Sequence, residues 1–396
     1  MKYVKVKDLG QIVTGNTPPT SDMSNYGDFI PFIKATDIIL GSRYTYVTEQ
    51  GYSLKSYKKY KENLIPKGST CIVTIGSIGK KMTQAHTDLF VNQAINAILP
   101  YKEYDKDYIY YVTKFAVLPQ LKIYDSGTTS GRENISKSSF SNIRLYVEED
   151  IPLQQKIASI LSAYDTLIEN NTRRIRLLEQ MAENLYKEWF SYRKIKGQSK
   201  AVKLKEIINI TRGLSYSSEE IDCTDGNNLI NLKNIQGYGG FRLDGTKLYK
   251  GKYKPEQIVE EGDLIMGVTD MTQDRRTVGS VALIPNVNTL SVISADLVKI
   301  NSSIDNTYLY AMFRYGNVSR HIAQFANGAN VLHLRPKSIL NIKVFLPNQD
   351  IIDSFVSKVK PMIQLTNRLN TEIDILTRQR DLLLPRLMSG KLEVKS

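Results

Sequence analysis

Apolar positions along this chain follow two different periods, and the change from one to the other occurs twice. The first regime is strand-like. Cys71-Ile72-Val73-Thr74-Ile75 is β-branched and bounded by Gly68 and Gly76, which predicts a buried strand. Asp263 to Val268 sits at the corresponding place further on, and Phe90–Ile95 and Val292–Val298 are further strand candidates. Tyr108 to Leu118 and Tyr308 to Phe325 carry helical spacing.

The second regime steps by four and three. Ile157, Leu161, Tyr164, Ile168, Asn171, Ile175, Leu178, Ala182, Leu185 and Trp189 form one such series, apolar except for Asn171. Phe355, Val359, Met362, Thr366, Leu369, Ile373, Leu376, Arg380, Leu383 and Leu387 form the other, interrupted by Thr366 and Arg380. Nearly five heptads of this spacing predict a coiled-coil seam. Asn171 is the kind of buried polar residue that fixes register at some cost in stability. Pro152 suits the first turn of the first helix, since its missing N–H has no helical partner there. Pro385 is expected to break the second helix near its end.

The chain repeats itself. Val4-Lys5-Val6-Lys7-Asp8-Leu9 returns as Val202-Lys203-Leu204-Lys205-Glu206-Ile207, and 198 is half of 396. At nearly that spacing, Gly15 answers Gly213, and Phe32-Ile33-Lys34 answers Asn231-Leu232-Lys233. Tyr108-Ile109-Tyr110 answers Tyr308-Leu309-Tyr310, and Asn142-Ile143-Arg144 answers Asn341-Ile342-Lys343. Ile151-Pro152-Leu153-Gln154-Gln155-Lys156-Ile157 answers Leu346-Pro347-Asn348-Gln349-Asp350-Ile351-Ile352. Five short matches in one order mark a tandem duplication. The expected fold is α+β: two tandem α/β domains, 1–150 and 198–346, each followed by a helical spacer region, 151–197 and 347–396. An isolated amphipathic helix of about 40 residues would extend about 60 Å with its stripe wet. Two matched seams are therefore expected to cover each other as an antiparallel coiled coil, with the halves related by a pseudo-two-fold. Ile157, Leu161, Ile168, Asn171, Ile175, Leu178 and Leu185 would meet Val359, Met362, Leu369, Ile373, Leu376 and Leu383 across that seam.

Charge sharpens the picture. Lys+Arg total 53 against 40 acids, a net charge of +13, which favours a polyanionic partner, nucleic acid or a membrane surface. No apolar run is long enough to span a membrane, and the start of the chain lacks the apolar block of a signal peptide, so a cytoplasmic location is expected. Two cysteines and three scattered histidines predict neither a disulfide framework nor a metal centre. Gly76-Ser77-Ile78-Gly79-Lys80-Lys81 fails as a phosphate loop, because Thr74 stands where Gly is needed and Lys81 where Ser or Thr is needed. No nucleotide or S-adenosylmethionine motif is present, so neither an activity nor a cofactor is expected of the chain itself. What remains is binding. Tyr52 to Lys67 interleaves Lys55, Lys58, Lys59, Lys61 and Lys67 with Tyr52, Tyr57 and Tyr60, a mixture suited to phosphate contacts or to a solvated face. Its nearest equivalent in the second copy is read as Arg275-Arg276.

Taken in order, these segments resemble the specificity subunit of a Type I restriction–modification system. The resemblance rests on the Ile-Pro-Leu-Gln-Gln and Leu-Pro-Asn-Gln-Asp runs, on Arg378-Gln379-Arg380-Asp381-Leu382-Leu383-Leu384-Pro385-Arg386-Leu387-Met388-Ser389-Gly390, and on Gly15-Asn16-Thr17-Pro18, Ile30 to Ile38 and Gly76 to Gly79. Two departures are that Asp350 replaces the second Gln, and that Asn231 to Ile235 keeps only the outline. The resemblance implies a non-catalytic, sequence-specific DNA-binding subunit that reads a bipartite asymmetric site, one half per recognition domain, with the helices setting the gap. It implies double-stranded DNA, two methyltransferase subunits and the endonuclease subunits as partners, with S-adenosylmethionine held by the methyltransferases. Polar and basic loop positions then become candidate DNA contacts: Thr36, Lys58, Lys59, Ser77, Lys80, Lys81, Thr128 and Arg132 in the first domain, and Lys233, Asn234, Arg275, Arg276, Asn330 and His333 in the second. Each is equally readable as a turn residue. The competing reading is a coiled-coil protein-interaction scaffold without sequence-specific DNA binding.

Overall fold

The computed structural model describes residues 1–126, 133–190, 198–221, 223–287 and 289–394. Contacts gather them into two compact units, Met1–Glu169 with Ile375–Ser396, and Asn170–Asp374. Each of the two long helices, Ile151–Phe190 and Gln349–Met388, contributes one part to each unit.

The first unit holds β1 (Lys2–Lys5), β2 (Gly10–Thr14), β3 (Tyr26–Ile33), β4 (Gln50–Tyr52), β5 (Thr70–Val73), β6 (Met82–Gln84), β7 (Phe90–Val91), β8 (Ile95–Pro100) and β9 (Arg144–Val147). One antiparallel sheet runs β2-β8-β5-β6; a second runs β4-β3-β7, with β3 and β7 parallel. Strand alternation divides the core in two. Cys71 and Val73 of β5 pack with Ile33 and Val91 of the second sheet, while Ile72 faces the helix Lys106–Val112 and the long helices. Ile157, Ala158 and Leu161 of the first long helix share that cluster with Leu384, Leu387 and Met388 of the second.

The second unit repeats this plan with β10 (Ser199–Lys203), β11 (Asn209–Arg212), β12 (Asn227–Ile230), β13 (Lys247–Tyr249), β14 (Ile258–Val259), β15 (Leu264–Gly267), β16 (Thr269–Asp270), β17 (Val281–Leu283), β18 (Ser291–Ile293), β19 (Leu297–Asn301), β20 (Leu332–His333) and β21 (Lys343–Pro347). Its sheets are ordered β11-β19-β15-β17 and β13-β12-β18-β14, with β12 and β18 parallel. The topologies match strand for strand except for three added strands: β14, and the antiparallel pair β16 and β20. Ala182 and Tyr186 of the first long helix cluster with Ile352, Phe355 and Val359 of the second. Within each unit, ascending residues on one helix meet descending residues on the other, so the segments run antiparallel. All twenty positions of the two seam series are buried or half-buried.

Several expectations need correction. Phe90–Ile95 is not one strand: β7 ends at Val91, a turn closes with the Ile95 N–H donating to the Asn92 carbonyl, and β8 begins in the other sheet. Val292–Val298 divides the same way between β18 and β19. The helical pattern over Tyr308–Phe325 is two helices, Asn306–Tyr315 and Val318–Ala323, separated by Gly316 and by Asn317 at φ 60°. Tyr108 to Leu118 is α-helical only to Val112, then widens into a π-type turn.

Pro385 does not break the second long helix, which continues to Met388. The lost backbone bond and ring clash cost on the order of 3 kcal/mol. Burial of Leu384, Leu387 and Met388, about 1.5–3 kcal/mol each, offsets them. Pro152 lies in the first turn of its helix, but its supposed counterpart Pro347 is the last residue of β21, so those two segments are not equivalent.

Candidate nucleic-acid interface

In each unit three loops converge where the two sheets end. In the first unit the chain leaves β3 into a tight turn. The Lys34 N–H donates to the Asp37 carboxylate at 2.8 Å, and the Asp37 N–H returns to the Lys34 carbonyl. The loop after β5 lies beside it: Lys81 Nζ donates to the Ala35 carbonyl at 2.9 Å. The third segment bridges Asn134 to Ile75, and the Gly76 N–H donates to the Glu133 carbonyl. Gly76 and Gly79 both have positive φ, 89° and 71°, so this near-phosphate-loop sequence is a pair of glycine turns.

The second unit builds the same turn with an amide in place of the carboxylate. The Asn231 N–H donates to the Asn234 side-chain oxygen at 2.9 Å, and the Asn234 N–H to the Asn231 carbonyl. This fixes the true equivalence: Lys34 matches Asn231, Thr36 matches Lys233 and Asp37 matches Asn234. The Phe32-Ile33-Lys34 pairing read from sequence is therefore off by two residues. Short strands misalign easily because several small matches compete.

The loop after β15 is longer than its partner, Val268–Gly279 against Thr74–Lys80. It is organised by the buried Asp270. That carboxylate accepts from the Thr277 N–H at 2.6 Å, the Val278 N–H at 3.2 Å, and the N–H and hydroxyl of Thr272. Burial works to raise its pKa, but these donors, led by Thr277, outweigh burial and hold the pKa below the ordinary value. Strands β16 and β20 tie this loop to the third one, and Gln273 Nε2 donates to the Ala329 carbonyl at 2.8 Å. The Tyr238 N–H donates to the Arg276 carbonyl at 2.8 Å, closing the three-loop face.

The sequence-predicted contacts fall on this frame unevenly. Thr36, Ser77 and Lys80 are exposed and Lys81 half-buried, on the first two loops of the first unit. Lys233, Arg276, Asn330 and His333 are exposed and Arg275 half-buried, on the three loops of the second. Arg276 pairs with Asp274 at 2.6 Å, both largely in solvent, so the guanidinium can be exchanged to a phosphate at little cost. Thr128 and Arg132 lie outside the described residues.

Asn234 is a correction. It is fully buried, and its amide nitrogen donates to the Arg242 carbonyl and the Thr246 hydroxyl, both at 2.8 Å, so it holds the turn rather than facing a ligand.

Lys58 and Lys59 are exposed, but on the helix Leu54–Lys59, which packs on the second sheet away from the loop-closing bonds. The tyrosines around them are core: Tyr52 is fully buried with its hydroxyl on the Asn16 carbonyl, and Tyr57 and Tyr60 pack beside it. The equivalent of Tyr52 is the buried Tyr249, so the second copy's matching basic stretch is Lys250, Lys252 and Lys254, all exposed, and not Arg275-Arg276. Sequence reasoning also missed Asp270 and Gln273. The Asp-x-Thr spacing of Asp270 and Thr272 is a turn signature that was there to be read.

Among the described residues, no His/Cys/Asp/Glu group is placed to hold a metal ion, and no helix is long and apolar enough to cross a membrane.

A family model described as the Type I restriction modification DNA specificity domain matches the chain twice, over residues 1–180 and 197–374. The chain is 25% identical to the Type I restriction enzyme MjaIX specificity subunit of Methanocaldococcus jannaschii, covering 99% of this chain and 93% of that one. It is 22% identical to the MjaVIII specificity subunit of the same organism, covering 100% and 98%. Among solved structures, the S subunit of a Type I restriction–modification system from M. genitalium matches with a TM-score of 0.65 at 14% identity, covering 100% of this chain and 96% of that one. That likeness supports the fold.

Proposed function

Because the chain belongs to the Type I restriction–modification DNA specificity family, we propose that its twin three-loop faces each read one half of a split, asymmetric DNA site. The observation carrying this reading is the structural equivalence of Thr36 and Lys233. One scaffold position, held by one turn, presents a hydroxyl in one unit and an ammonium in the other, so the two faces offer different chemistry to DNA. Lys80, Lys81, Arg275 and Arg276 supply phosphate contacts that strengthen as salt falls, while Thr36, Ser77, Asn330 and His333 address base edges. The recognition domains are taken as 1–150 and 198–346, and the spacer regions as 151–197 and 347–396.

The chain performs no catalysis in this scheme. It carries two methyltransferase subunits, which bind S-adenosylmethionine, and through them the endonuclease subunits, in the cytoplasm where the DNA is. The long helices set the unspecified gap.

Sequencing modified bases in cells that express the chain with its methyltransferase tests the reading. Two specified blocks separated by unspecified bases are expected; one continuous block overturns it. Removing one heptad from each long helix is expected to change the gap and leave both blocks unaltered. Binding by the assembled complex should fall steeply with salt, and a flat dependence favours the scaffold alternative.

A further inference from the structure

The loop that follows the shared turn ends in a tip whose chemistry neither charge nor family membership assigns. In the first unit the tip is Ile39-Leu40-Gly41-Ser42, closed by the Ser42 N–H on the Ile39 carbonyl. In the second it is Gln236-Gly237-Tyr238-Gly239, closed by the Gly239 N–H on the Gln236 carbonyl. The tips are equivalent step for step, since Ile38 and Ile235, both buried, directly precede them. Each is pinned again on the far side, by the buried Arg43 in one and Phe241 in the other. Pinned at both ends, the tips cannot fold their side chains back into the core, and each displays a large apolar group. Ile39 is 65% exposed, Leu40 62% and Tyr238 56%.

The backbone gives a second, independent sign. The third tip position needs a left-handed conformation: Gly41 takes it at φ 83°, with open space for 4 Å around the point a side chain's first carbon would occupy. Tyr238 stands at the same position at φ 67°. A bulky aromatic residue is a genuine outlier there, and such strain persists where the side chain itself is needed. Glycine would satisfy the turn without strain, as Gly41 does. Tyr238 keeps its ring in solvent instead, beside the exposed Arg276 whose carbonyl receives its N–H.

We propose that these tips are the apolar reading elements of the two faces: Ile39 and Leu40 in the first unit, and Tyr238 in the second, press on thymine 5-methyl groups in the major groove. This rests on the DNA-reading function proposed for the two faces and names the group read. The thymine methyl is the apolar feature that distinguishes base pairs at the major-groove edge. The neighbouring cations, Lys80 and Lys81 in one unit and Arg275 and Arg276 in the other, suit the flanking phosphates.

The test uses the full chain assembled with its methyltransferase, on duplexes carrying the modified site found in cells. Replacing thymine by uracil throughout one half-site removes only methyl groups. Wild-type binding should weaken about tenfold for each half-site so treated, the scale of one lost base contact. Tyr238→Gly should bind thymine and uracil forms of the second half-site equally, and Ile39→Ser with Leu40→Ser should do the same for the first. Tyr238→Gly also relieves the backbone strain, so its melting temperature should be unchanged or higher, which separates lost reading from lost folding. Undiminished wild-type binding to uracil DNA, or unaltered thymine preference in the variants, overturns the proposal while leaving the DNA-reading function intact. Failure of the wild-type complex to prefer its site over random DNA overturns that function itself.

Discussion

Arg380, the charged residue that interrupts the second seam, should prove indispensable to the first unit while contributing little as half of a pair. Its guanidinium lies 2.6 Å from the Asp165 carboxylate, and the two side chains are only 3% and 4% exposed. Asp165 accepts a further bond from the Tyr111 hydroxyl. Burial first, and then the Asp165 charge, push the Tyr111 pKa well above its ordinary value, so it remains a neutral donor. Arg380→Met removes the cation and leaves the carboxylate buried with one neutral partner. Breaking a buried pair in this way costs about 3–5 kcal/mol. In a unit of this size that lowers the melting temperature by roughly 6–20 °C.

Asp165→Leu combined with Arg380→Met replaces the pair by apolar groups, as the second unit already does at the equivalent positions, Ile363 and Ala182. The double variant should recover at least half of the loss, because an apolar replacement of a buried pair is often near neutral. Hydrogen exchange resolves the two units: amides of Tyr108–Val112 report the first and those of Leu309–Phe313 the second. Faster exchange confined to the first segment is expected for Arg380→Met. A loss below about 1 kcal/mol, or a double variant no better than the single, refutes the reasoning.

Two further outcomes follow from buried polar groups. Asn171 is buried at a seam position, its amide nitrogen meets no partner among the described residues, and its counterpart in the second helix is the buried Leu369. Asn171→Leu should therefore raise the urea midpoint, by about 1–3 kcal/mol of stability, and a lowered midpoint would show that the amide has an essential partner. Burial first, and then the charge of Lys67, hold the His86 pKa below the ordinary 6.5. The unfolded chain then binds the proton more readily. The stability from neutral His86 is fully present above about pH 6.5 and is lost as pH falls from there through the lower pKa of the folded state. The urea midpoint of the wild type should drop more between pH 7.5 and 5.5 than that of His86→Gln; equal drops would show that His86 plays no part in the pH dependence.

The parts of the fold written in periodicity were legible in advance. Seam residues announce themselves because a helix needs an apolar residue every three or four steps to stay covered, and one misplaced residue does not erase that signal. The duplication was legible for the same reason, as order survives when individual matches are weak. The failures cluster where one residue decides geometry. Asn92 and Ser294 turn an apparently continuous strand into two, and Asn317 stops a helix whose apolar pattern continues beyond it. Asn234 looked available because it is a polar residue beside Lys233 in an expected loop, yet its two amide hydrogens are consumed inside the turn it builds. The partner of Arg380 was invisible because Asp165 lies one residue off the seam. A polar chain is assembled in three dimensions: the Tyr111 hydroxyl that donates to Asp165 accepts from Arg43 at 3.4 Å, and Arg43 pairs with Asp107 at 2.7 Å.

Duplication followed by divergence explains how the polar groups that hold the loops were exchanged while the turns were kept. The strand pairings must be kept in both copies, since a one-residue slip would turn every apolar side chain to the wrong face. The groups that hold the loops are under a looser condition: they must fix the same turn, by any chemistry that suffices. Asp37 and Asn234 satisfy it with a carboxylate and an amide, and Lys81 and the buried Ser280 occupy the same step after the second loop with unrelated side chains. Each such exchange changes the charge presented nearby without moving the scaffold. Two faces that began identical can thus come to read different sequences. The added residues of the Val268–Gly279 loop, with Arg275 and Arg276 among them, extend that freedom to shape as well as charge.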